Sequence, residues 1–116
     1  MTVKQFYEVI GGDYDGTLAR FLDEDRMLRF ALRFENDPNF SALLAALKSG
    51  NADEAFRAAH TLKGVCQNLG FTSLFIPAAA VTEILRTGSL DVGAELMDEL
   101  KSRYGVVITA IGQLKA

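Results

Sequence analysis

Apolar residues along this chain recur every three or four positions rather than every second one, and β-branched residues are too scattered to line a sheet. The pattern therefore predicts an all-α protein. Two short helices are expected at about 3 to 10 and about 15 to 22, separated by Gly11, Gly12 and Asp13. A longer helix starts at about Asp23 or Glu24, with Met27, Leu28, Ala31, Leu32 and Phe34 supplying its apolar face. The stretch "ENDPNF" interrupts it. Asp37 suits an N-cap and Pro38 a first helical position, so the segment of about 38 to 49 is either a new helix or a kinked continuation of the last.

"KSGNADEAF" is a clean stop and restart, with Gly50 closing one helix and Asn51 capping the next ahead of Asp53 and Glu54. Gly70 ends that second helix. A further helix is expected over about 72 to 87, with Pro77 near its first turn and Gly88 beyond its end. The last is expected over about 91 to 115, weakened locally by Gly93, Gly105 and Gly112. No linker, low-complexity segment or repeat divides the chain. The segments at about 24–49, 51–69, 72–87 and 91–115 thus predict an antiparallel, up-down four-helix bundle preceded by the two short helices, all in one domain spanning residues 1–116.

Composition narrows the class. A chain of 116 residues can bury roughly two-thirds of its unfolded surface without staples. Cys66 is the single cysteine, which excludes an internal disulfide and a thiolate-rich zinc site and suits a reducing compartment. The opening "MTVKQFYEVIGGDYDG" lacks the pattern of a signal peptide, and no apolar run approaches the ~20 residues that cross a bilayer. A cytoplasmic protein with no membrane contact is expected. The net charge is -3 and the twelve basic residues are spread along the sequence, so no stripe for nucleic-acid phosphates is expected.

The candidate chemistry lies in "AAHTLKGVCQNLG", which holds the chain's one histidine, His60. Stepping about 100° per residue from His60 places Ala55, Ala58, Leu62, Val65, Cys66 and Leu69 between about 140° and 240°, the core stripe. His60 is opposite, and Asp53, Phe56, Arg57, Lys63, Gly64 and Gln67 fall within about 60° of it. Cys66 is on the wrong side to share a metal with His60, so no metal site is expected. A hydrolytic triad is also disfavoured, because its parts would have to converge on a convex helix. An exposed imidazole can, unaided, act as a nucleophile and carry a group.

The neighbours fit that role. Helical side chains lean toward the N-terminus, so a residue at 64 would lean over the imidazole, and glycine leaves the approach open at a cost of about 1 kcal/mol in helix propensity. Lys63 stands one turn away, where its ammonium at about 6 Å could favour a phosphoryl group by on the order of 1 kcal/mol. Gln67 can donate to a phosphate oxygen or the imidazole. Phe56 on this face suits a partner anchor, or else packs beneath the N-terminal segments.

"AAHTLKGVCQNLG" closely resembles the signature of histidine phosphotransfer (HPt) domains, A-H-x-L-K-G followed by a glycine six residues on. The likeness covers about residues 18 to 88, with Phe34, Pro38, Leu43, Leu47, Asn51 and Ala59 at expected places. Asn51 stands where the family usually has Asp, Phe56 is bulkier than the usual polar residue, and Thr82 occupies a position often held by Glu. The resemblance implies a four-helix bundle that takes a phosphoryl group on His60 from, and passes it to, an aspartate of a response-regulator receiver domain. It implies support of the phosphoimidazole by Lys63 and Gln67, and receiver contact at Phe56, Arg57, Gly64 and Asn68. No cofactor is expected on this chain, magnesium being expected on the receiver alone. Nothing resembles a glycine-rich nucleotide loop, so a monomeric carrier served by receivers, and by a hybrid sensor kinase, is expected rather than an ATP-using enzyme. The rival expectations are a helical adaptor that docks without transfer, and a dimeric autokinase fragment.

Overall fold

The computed structural model describes all residues, Met1 to Ala116, and every regular element in it is helical. The helices are α1 (Val3–Ile10), α2 (Tyr14–Phe21), α3 (Glu24–Arg33), α4 (Asn39–Ser49), α5 (Ala52–Leu69), α6 (Thr72–Arg86) and α7 (Ala94–Lys115), with a 3-10 turn at Phe34–Asn36. Local chemistry sets most of the starts. Thr2 and Gln5 form a reciprocal capping box on α1, and the carboxylates of Asp13 and Asp23 accept the backbone N–H of Gly16 and Arg26 at the starts of α2 and α3. Asn51 does the same for α5, accepting from the Glu54 N–H at 3.1 Å.

Three expectations change. The segment expected at 24–49 is two helices, because Asp37 takes an extended backbone (φ -68°, ψ 125°) and Pro38 lacks the N–H that would continue the ladder. The Asp37 carboxylate then accepts the Asn39 backbone N–H at 3.0 Å, starting α4 afresh. The last helix begins at Ala94 rather than about 91, since Gly93 sits at φ 89° and the Asp91 N–H bonds the Ser89 hydroxyl instead. Pro77 lies in the second turn of α6, not the first, and is buried. Its ring removes one backbone hydrogen bond and contributes apolar burial in exchange.

α5 is the centre of the arrangement. It packs between α4 and α6, α6 also packs on α7, and α1 and α3 close over α7. Phe6, Tyr7, Phe34 and Phe71 form an aromatic knot in the core, with Phe34 edge-on to Phe71 at 5.3 Å. Phe40 stacks on Tyr104 at 3.9 Å, joining α4 to α7.

The C-terminal end of α5 is clamped by the N-terminal helices. Gly70 closes it at φ 70°, and its carbonyl accepts the Asp13 N–H at 2.8 Å. The buried Tyr7 hydroxyl donates to the Leu69 carbonyl at 2.7 Å, and burial pushes that phenol up to about 12. Arg20 donates to the carbonyls of Asn68 at 3.0 Å and Gln67 at 3.3 Å. The orphan carbonyls at the helix end are thereby satisfied, which holds α5 in a fixed register against its neighbours.

Candidate functional site

The inner side of α5 carries the apolar stripe that the projection predicts. Ala55, Ala58, Leu62, Cys66 and Leu69 are buried, Ala59 joins them, and Val65 is only half-buried. His60 faces outward and is exposed, as are Arg57, Gly64, Gln67 and Asn68. Lys63 is half-buried on the side facing α6. A Cβ built on Gly64 would meet no atom within 4 Å, so the space above the imidazole on that side is free.

Phe56 lies beside His60. It is half-buried, and its cover comes from α6 rather than from the N-terminal helices. One face of the ring lies alongside the His60 imidazole, with centroids 5.6 Å apart and planes 17° from parallel. The Arg86 guanidinium also lies on this ring, 5.0 Å from its centroid. Arg86 is itself held by Glu83 in a two-point contact, Nε to Oε2 at 3.0 Å and Nη2 to Oε1 at 3.4 Å. The Arg86 hydrogen bond and charge hold the Glu83 carboxyl below its usual range, with smaller contributions from Lys63 and His60. A chain of contacts therefore runs from Glu83 through Arg86 and Phe56 to the imidazole.

The expected site residues do not all share one surface. His60, Phe56, Lys63, Gly64 and Gln67 lie along the crest of α5. Arg57 lines a cleft toward α4 with Asn39, Ala42 and Thr61. Asn68, near the far end, lines a cleft with Gly64, Gln67 and Arg20 and borders a second one with Phe30, Arg33 and Asp37. Glu83, Arg86 and Arg20 were not foreseen. Their only sequence signal is that Arg20 and Arg86 are the bases in the last turns of α2 and α6, which reads as ordinary dipole compensation.

Other chemistries find little here. No group of three or more His, Cys, Asp or Glu side chains is arranged to hold a metal ion. The Cys66 thiol is buried, and burial pushes it up to about 12, far from the thiolate a nucleophile needs. No helix is long and apolar enough to cross a membrane.

A family model described as the Hpt domain matches residues 18–114. No curated protein and no solved structure matched the chain in the corresponding searches. With most of its length matched, the chain belongs to the Hpt domain family. Domains of this family act in histidine phosphotransfer within phosphorelays, as phosphoryl carriers rather than catalysts, and interact with response-regulator receiver domains.

Proposed function

We propose that this Hpt-domain protein takes a phosphoryl group onto His60 from the aspartyl phosphate of a receiver domain and hands it to the same or a second receiver. The observation that carries the reading is the free space over Gly64 beside an exposed imidazole that Phe56 flanks. Transfer of this kind requires positioning and charge neutralisation more than covalent help from the protein.

In the forward step an unprotonated nitrogen of the neutral imidazole attacks phosphorus in line. The N–P bond forms as the acyl O–P bond breaks, and the aspartate leaves as carboxylate with the electron pair. The second ring nitrogen keeps its proton. Lys63 and Gln67 face the incoming phosphoryl oxygens, while Gly64 leaves room for the partner's loops. Magnesium on the receiver would neutralise the transferring group, so this chain needs no metal or ATP site of its own. The same reading takes α3–α4, α5, α6 and α7 as the legs of an antiparallel bundle, and the protein as a cytoplasmic monomer fed by receivers or a hybrid kinase. Docking without transfer is the weaker alternative, because an adaptor has no use for a clear path to an exposed imidazole.

The test is to incubate the protein with a panel of receiver domains carrying labelled phosphate. Label should move to the wild type and not to His60→Gln, whose exposed position leaves the fold intact. The adduct should be labile in acid and stable in base, as a phosphoramidate is. Labelling of His60→Gln, or an acid-stable adduct, would refute the proposal.

A further inference from the structure

Basic residues that look evenly spread along the sequence are gathered by the fold at the far end of α5. Arg26, Arg29 and Arg33 recur at helical spacing on the exposed side of α3, opposite its buried Met27 and Ala31. Arg20 of α2 joins them around a cleft of about 380 Å³ whose apolar walls are Phe21 and Phe30, stacked at 5.0 Å and 15°. The three ion pairs of the protein are Arg26–Asp23, Arg86–Glu83 and Lys115–Glu35, so Arg20, Arg29 and Arg33 have no carboxylate partner. Arg33 lies over the Phe30 ring at 5.0 Å instead. Between the helices Leu22 is 75% exposed and held at φ 75°, a region leucine rarely adopts. Arg20 caps the end of α5 and the Leu22 backbone closes α2, but the unpaired like charges of Arg29 and Arg33 and the exposed Leu22 side chain add nothing to the burial that holds the fold together. Arginine and aromatic residues around an apolar centre are the composition of a protein interface.

This surface is continuous with the crest of α5. Arg20 also lines a polar cleft with Gly64, Gln67 and Asn68, and Asn68 lines the next cleft with Phe30 and Arg33. A body seated over His60 at the Gly64 gap therefore reaches the arginines by extending along α5 toward its C-terminus. Nucleic acid fits less well, since Asp23, Glu24 and Asp25 border the arginines and the net charge is -3.

We propose that the receiver domain engaging His60 also covers the arginine surface of α2 and α3, and that the strip of receiver facing it is acidic. The inference rests on the phosphotransfer reading and names what selects the partner. Charges at the rim of an interface act on encounter and affinity, so these arginines govern which receiver docks and leave the chemistry at the imidazole alone.

The experiment compares the wild type with the double variant Arg29→Glu/Arg33→Glu, using a panel of isolated receiver domains phosphorylated with acetyl phosphate. Transfer rates are followed against receiver concentration and sodium chloride. For the receiver that the wild type prefers, KM should rise about 10-fold or more with kcat within about twofold. The wild-type kcat/KM should fall steeply with added salt, and that of the variant should fall much less. Arg29→Lys/Arg33→Lys, which keeps the charge, should behave like the wild type. A labelled wild type with unchanged KM and salt dependence in the charge-reversed variant would overturn the inference and leave the phosphotransfer reading standing. Absence of label on the wild type from every receiver would overturn both. Unchanged transfer with loss of heparin binding in the variant would also overturn it, giving the arginines to a polyanion.

Discussion

Substitution at Gly64 should move stability and function in opposite directions. Gly64 is exposed in the interior of α5, its backbone is helical, and a Cβ there meets nothing within 4 Å. Gly64→Ala therefore removes a helix-weakening residue with no steric penalty, and should stabilise the fold by about 0.8–1.0 kcal/mol. For a domain of this size that is a rise in Tm of about 3 to 5 °C, readable by thermal denaturation followed by circular dichroism. Gly105 supplies the control, because it is also exposed, lies inside α7 and has open space around its Cβ position. Gly105→Ala should give a similar gain and unchanged phosphotransfer. Gly64→Ala should instead slow transfer, and Gly64→Leu, whose side chain leans back over the imidazole, should slow it by about 100-fold or more, the order expected when reacting atoms are held about 1 Å out of place. A Gly64→Leu protein that melts at or above the wild-type temperature and transfers at the wild-type rate would refute the account of the glycine as an approach path.

Phe56→Ala should destabilise the protein by about 2 kcal/mol, less than the loss of about 3 to 5 kcal/mol typical of a fully buried ring, because Phe56 is half-buried. Urea titration of Phe56→Ala, Arg86→Ala and the double variant should give a coupling of about 0.5–1 kcal/mol for the stacked pair, and a coupling of zero would deny that Arg86 covers the ring. Gly70→Ala should be strongly destabilising, by about 1–3 kcal/mol, since φ is 70° and the added Cβ would collide with the Thr17 hydroxyl; a wild-type melting curve would show that the clamp on α5 is not tight. Burial raises both Cys66 and Tyr7 to about 12, so the folded state holds protons that the unfolded chain releases above its ordinary pKa values of about 8.5 and about 10. Stability should be flat in this respect below about pH 8 and fall as pH rises from there toward 12, and native Cys66 should resist iodoacetamide at pH 8 until the protein is unfolded.

The helices and the inward and outward faces of α5 were legible in the sequence because they depend on local rules. The Asn51 cap, the Gly50 and Gly70 stops and the apolar stripe through Leu62 and Cys66 depend on residues within a turn or two of one another. That periodicity alone puts His60 opposite the core and Gly64 beside it. The break at Pro38 could be framed but not decided, since a kink and a restart share the same residues and differ only in where α3 and α4 find their packing partners. Phe56 was the harder case. Its angle around α5 marks an exposed ring, but exposure depends on what a neighbouring helix brings to it, and Arg86 lies thirty residues further along the chain. The unpaired arginines are hidden in sequence for the same reason. Arg20, Arg29 and Arg33 become a surface only when α2, α3 and the end of α5 meet, because charge density is a property of distance in space and not of spacing along the chain.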